Sequence, residues 1–161
     1  MIKLKNVSFT YAQTDKPSLS HINLSIHAGE CVLLCGKSGC GKTTMTRLLN
    51  GMVPDFYDGI LDGQIQINGL DPTNCSMYDL SKVVGTIFQN PRTQFYTVNT
   101  TSEIAFGCEN HGLPPKKIKK RVMQAASDLH IEALLDRNIF ELSGGEKQKI
   151  AFASIYALNP D

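Results

Sequence analysis

GKSGCGKT, residues 36–43, follows the apolar run CVLLC, residues 31–35. It precedes Met45, Leu48, Leu49 and Met52, which are spaced as one face of a helix. A continuous apolar run predicts a strand buried on both faces, and the later spacing predicts an amphipathic helix. Between them Gly36, Gly41, Lys42 and Thr43 fit the pattern G-x-x-x-x-G-K-[ST]. Glycines let the backbone curl around a phosphate with successive N–H groups pointing inward. Lysine then reaches the β- and γ-phosphates, and the hydroxyl can ligate Mg²⁺. The helix adds its positive N-terminal end to the anion site. An α/β fold is expected, with Gly36, Lys37, Ser38, Gly39, Cys40, Gly41, Lys42, Thr43 and Thr44 as its phosphate-binding loop. Only the backbone of Cys40 need matter there.

Upstream, Val7, Phe9 and Tyr11 alternate with polar residues, as do Ile22, Leu24 and Ile26. Period-two alternation predicts half-buried strands, with a turn at TDKPS, residues 14–18. Downstream, DGQIQING, residues 62–69, predicts a short strand between an Asp-Gly and an Asn-Gly turn. A short helix is expected over 77–82, and VVGTIFQN, residues 83–90, reads as a second buried strand. From Thr100 the pattern turns helical: 100–112, 114–130, a short piece at IEALLDR (131–137), and a last helix after Ser143. Ile118, Val122, Ala125, Ala126 and Leu129 share one face of the second of these, opposite the basic run KKIKKR, residues 116–121. That run reads as a solvated face, with anionic lipid or RNA as the alternatives.

Composition narrows the class. The chain has 161 residues, is 42% hydrophobic and 19% charged, and carries a net charge of +1. This is a globular composition for one domain, with no overall basic excess for nucleic acid. No apolar run approaches the ~18 residues of a membrane span. The five cysteines form no C-x-x-C, and the four histidines form no ligand pair, so neither a disulfide framework nor a zinc site is expected.

A second glycine motif discriminates among nucleotide-binding proteins. In LSGGE, Leu142, Ser143, Gly144, Gly145 and Glu146, the serine and the glutamate three residues later form a capping box. A capping box does not require two glycines in the first turn, where each lowers helix propensity. They make sense if a ligand must approach the backbone, since a helix start with bare N–H groups is an anion site.

A phosphate loop followed by LSGGE resembles the ATP-binding subunit of ABC transporters, over the whole chain. The resemblance implies a P-loop NTPase (RecA-like) core with an N-terminal antiparallel β subdomain and an inserted helical subdomain. It divides the chain into 1–89 (β subdomain and P-loop core), 90–142 (helical subdomain) and 143–161 (signature helix and following turn). It implies ATP and Mg²⁺ as ligands, with Lys42 on the phosphates and Thr43 on the metal. Tyr11 falls where the family places an aromatic on adenine, although its alternation with Val7 and Phe9 also fits a core or strand-end position. Gln89 falls on the family glutamine that contacts Mg²⁺ and the attacking water. Leu142–Glu146 would meet the γ-phosphate of ATP bound to an opposite domain. NPRTQF, residues 90–95, and EIAFG, residues 103–107, resemble energy-coupling-factor importer ATPases more narrowly. Phe95, Tyr96 and Phe106 are read as a groove for a partner helix or as core.

Solute import is therefore expected, with two kinds of partner: a transmembrane subunit, and a second ATP-binding domain (same chain, different chain, or fused downstream). No nucleic acid is expected. The place implied is cytoplasmic, peripheral on the inner face of the membrane. The family's Asp-Glu strand, with its catalytic Glu, and its switch His follow the ALNPD turn, residues 157–161, and are not in this sequence. The C-terminal part of the domain is thus expected to be missing and the chain inactive in hydrolysis. The alternatives are a soluble ABC-type ATPase acting on DNA or ribosomes, and a P-loop kinase, which leaves LSGGE unexplained.

Overall fold

Strand β1, Ile2–Tyr11, is paired on both edges. It lies antiparallel between β2, Leu19–Ile26, and β3, Gly59–Ile67, giving the order β2-β1-β3. The computed structural model describes residues 1–160, in two units: 1–84, which holds this sheet, and 85–160.

The inward residues of β1 are Leu4, Val7 and Phe9. Leu4 and Val7 are three apart, which strict alternation forbids. A bulge resolves the conflict: Asn6 takes φ 52°, and the register shifts between Lys5 and Ser8. The Asn6 N–H donates to Asn23 Oδ1 at 2.9 Å. Opposite the bulge, Gly63 sits at φ 99°, and a Cβ there would stand 2.5 Å from the Asn6 carbonyl oxygen. Asp62-Gly63 is therefore inside β3 and not the turn its dipeptide suggests; glycine admits the close backbone approach. The Asn68-Gly69 turn does form, with Ile67 and Leu70 exchanging both backbone hydrogen bonds at 2.8 Å.

One face of this sheet carries the unit's core. Helix α1, Lys42–Leu49, contributes Met45 and Leu48, which join Val53 and Leu80 against Leu4, Val7, Phe9, Ile65 and Ile67. The short helix α2, Met77–Leu80, is capped by Ser76 Oγ, which accepts from Asp79 N–H.

The second unit is helical: α3, Thr100–Asn110; α4, Pro115–Asp128; and α5, Gly144–Leu158. Ile104, Cys108, Val122, Ala125, Ala126, Ile150, Ala153 and Ala157 form its core. The small side chains bring the helices close. Arg121 Nη1 donates to the Leu158 carbonyl at 2.6 Å, placing a cation on the free carbonyl end of α5. Glu103, only 3% exposed, accepts through Oε2 from Tyr96 N–H, Thr97 N–H and Thr97 Oγ1. It fastens the preceding segment to the first turn of α3. The stretch 131–137 contains a 3₁₀ turn at Glu132–Leu134.

Two expected strands are also absent. Neither 31–35 nor 83–90 is a strand, and the sheet among the described residues is the antiparallel one alone. Leu33 is 85% exposed, and Val32, Leu34, Ile87 and Phe88 are exposed too. An apolar run becomes a buried strand only when its N–H and C=O groups find ladder partners. Among the described residues these two runs have none.

Ile150 is fully buried among α3, α4 and α5. Ile150→Ala is expected to cost about 2–5 kcal/mol, read as a lower urea midpoint for loss of helical circular dichroism.

Candidate functional site

The loop 36–43 and Tyr11 come together in the first unit. Lys42 Nζ donates to the carbonyls of Gly36 and Lys37, each at 2.8 Å, and to Cys40 Sγ at 3.7 Å. The chain thus wraps around its own ammonium group. Gly39 and Gly41 hold φ 80° and 93°, conformations that L side chains rarely adopt. Gly41 is also sterically required, since a Cβ would stand 2.5 Å from the Ser18 carbonyl oxygen.

The loop delivers α1 with an open N-terminus. Gly41 is its N-cap, no side chain caps it, and its first turn holds no acidic residue. The first N–H groups of a helix have no internal acceptor, so this end suits an anion. The Thr43 side chain is exposed and its hydroxyl makes no hydrogen bond among the described residues. The donor set therefore fits a polyphosphate, and the free hydroxyl fits a hard cation. Thr44 is different. It is buried, and its Oγ1 lies 3.1 Å from Tyr11 Oη.

Tyr11 ends β1 and is bound to α1 twice, through Thr44 and through Arg47 Nη1, which donates to its Oη at 3.2 Å. Its ring meets Phe9 edge-on at 4.8 Å. The Arg47 guanidinium lies 3.8 Å over the Tyr57 ring. Sequence reasoning missed this Arg47 link; its signal was only an arginine on the polar side of α1. Beside the loop, a cleft of about 740 Å³ is lined by residues 14–18 with Gly39 and Cys40.

Gln89 and LSGGE lie in the second unit. Ser143 is the N-cap of α5, and the capping box is complete: Ser143 N–H donates to Glu146 Oε2 at 2.8 Å, and Glu146 N–H to Ser143 Oγ at 3.3 Å. Leu142 is buried and anchors the motif. Gly144 and Gly145 are exposed, and a Cβ on either would meet nothing within 4 Å. Packing does not demand these glycines, so the bare backbone face is what they supply. The hydrogen bonds from Ser143 hold the Glu146 carboxyl below the usual glutamate range, with Arg137 adding attraction from 3.8 Å.

Gln89 is exposed and shares a cleft of about 730 Å³ with Gly145, Gln148 and Phe152. The preceding Phe88 N–H donates to Gln94 Oε1 at 3.0 Å, and Asn90 caps the 3₁₀ turn Pro91–Thr93. Gln94 thus pins this loop, a role no sequence period could reveal. Of the aromatics read as a groove, Tyr96 is exposed and stacks on Phe106 at 4.9 Å, whereas Phe95 packs against the helical core.

Comparisons with known proteins agree on one family. The family model described as ABC transporter matches residues 19–161. A Treponema denticola protein named as an ABC transporter ATP-binding protein is 55% identical over 161 residues, covering the whole chain and 33% of that protein. A Bacillus licheniformis energy-coupling factor transporter ATP-binding protein is 35% identical over 163 aligned positions, covering the whole chain and 56% of that protein. The chain thus spans a third to about half the length of these relatives. Among solved structures, cbiO1 from Clostridium perfringens, described as part of the ABC transporter complex cbiONQ, superposes with a TM-score of 0.85 at 28% identity. That match covers 99% of this chain and 62% of the other.

Ser143→Ala removes one half of the capping box and should cost about 0.5–2 kcal/mol of α5 stability. A depressed folded-state pKa contributes stability above the unfolded value, and that contribution is lost as pH falls through the folded one. The Glu146 carboxyl, followed by NMR, should therefore titrate below the usual glutamate range in the parent and move upward in Ser143→Ala.

Proposed function

Because the chain belongs to the ABC transporter family, we propose that it is the ATP-binding part of a membrane transporter and binds ATP through residues 36–44. The observation that carries this reading is the uncapped N-terminus of α1 beneath a loop whose lysine is already gathered by backbone carbonyls. In this reading Lys42 turns its ammonium to the β- and γ-phosphates. The N–H groups of the loop and of the first turn of α1 take the phosphate oxygens. Tyr11, held in place by Thr44 and Arg47, offers its ring to adenine.

Thr43, through its free hydroxyl, would hold Mg²⁺, which when bound neutralises charge developing on the phosphates. LSGGE would act on a second ATP-binding domain. Its Gly144 and Gly145 leave room for a γ-phosphate, and Ser143 and α5 supply the dipole. That partner domain, a transmembrane subunit, solute import and a position on the cytoplasmic face of the membrane all follow from the same reading. The relative named as an energy-coupling factor transporter ATP-binding protein supports a transporter partner, and import rests on the resemblance carried by NPRTQF and EIAFG. Among the described residues no helix is long and apolar enough to cross a membrane.

None of the residues assigned here serves as base for the attacking water, because Glu146 is committed to its capping box. The 161-residue chain is therefore expected to bind Mg-ATP without steady-state turnover. By calorimetry, Lys42→Ala should weaken Mg-ATP binding roughly 10- to 100-fold, the worth of a hydrogen bond between charged groups. Unchanged affinity would remove the phosphate-loop assignment, and Lys42-dependent hydrolysis would overturn the assignment of roles.

A further inference from the structure

The outer face of α4 carries Lys116, Lys117, Lys119 and Lys120, all exposed, with exposed Met123 on the same arc. Val122, Ala125 and Ala126 occupy the opposite, buried arc. The lysines stand in the first turn and a half, where the helix dipole disfavours cations. The first turn has no acidic residue, and Pro114 at the N-cap gives no side-chain bond. Lys116 faces Lys119 and Lys120 at spacings of three and four, and Lys117 faces Lys120, so the charges repel one another.

No group among the described residues relieves this. None of the four lysines has an ion pair or a hydrogen bond among the described residues. Glu109 and Asp136 line a groove with Lys119, yet neither pairs with it. Asp128, at the far end, is taken by Gln124 and Tyr156. Arg121, the remaining cation of the run, is turned onto the end of α5.

We propose that this face of α4 docks on an anionic phospholipid surface. Charge complementarity requires an anionic partner, and the makeup of the arc selects lipid. Flexible lysine stems reach a plane of headgroups, and Met123 supplies an apolar side chain for the boundary beneath them. Nucleic acid is disfavoured, because α4 has no aromatic to stack on a base and its arginine is already engaged.

The test is co-sedimentation of the chain with vesicles of phosphatidylcholine mixed with phosphatidylglycerol, against phosphatidylcholine alone. Binding should need the anionic lipid and weaken with salt. Each lysine near such a surface is worth about fivefold, so K116Q/K117Q/K119Q/K120Q should bind at least about 10-fold more weakly. Its urea midpoint should be equal to or above that of the parent, which separates lost docking from lost folding. Lys42→Ala should bind vesicles like the parent, so a failure of the nucleotide reading and a failure of this one are told apart. Equal binding to both vesicles, or a quadruple variant that binds unchanged, overturns the proposal. So does lysine-dependent capture of an RNA duplex or a polyglutamate peptide with no capture by anionic vesicles.

Discussion

The requirement that backbone N–H and C=O groups find partners orders the first unit. β1 meets it on both edges and is the strand to which the others are referred. Its inward side chains receive α1, and its last residue, Tyr11, is bonded to Thr44 on the buried side of α1. The loop 36–43 is therefore positioned through side chains packed on an antiparallel sheet. Where no ladder partner is found, as at 31–35, hydrophobicity alone does not make a strand.

The two glycine motifs use one physical resource, the unsatisfied N–H groups at a helix start, in opposite ways. At α1 the side chains stand back, and glycine with left-handed backbone opens the end. At α5, Ser143 and Glu146 close two donors on each other, while Gly144 and Gly145 keep a bare flank. In the proposed reading one helix start would surround an anion and the other would be laid against one.

Much of this was legible in the sequence because its causes are local. Helical periods marked α3, α4 and α5 to within a few residues, and a serine–glutamate spacing marked the cap of α5. The Asn6 bulge was hidden, because Gly63 looks like a turn residue until β1 is laid beside it. The absence of strands at 31–35 and 83–90 was hidden for the converse reason: whether an apolar run is paired depends on distant segments. At the candidate site the loop, Ser143 and the glycines could be read from spacing. The Arg47 bond to Tyr11 and the Gln94 pin on Phe88 could not, since nothing local distinguishes them from surface residues.

The run at 31–35 has a consequence for the chain in solution. Val32, Leu33 and Leu34 offer adjacent exposed side chains on backbone without ladder bonds. Such a stretch is a template for pairing with another chain. Glu30 and Lys37 flank it as charged gatekeepers.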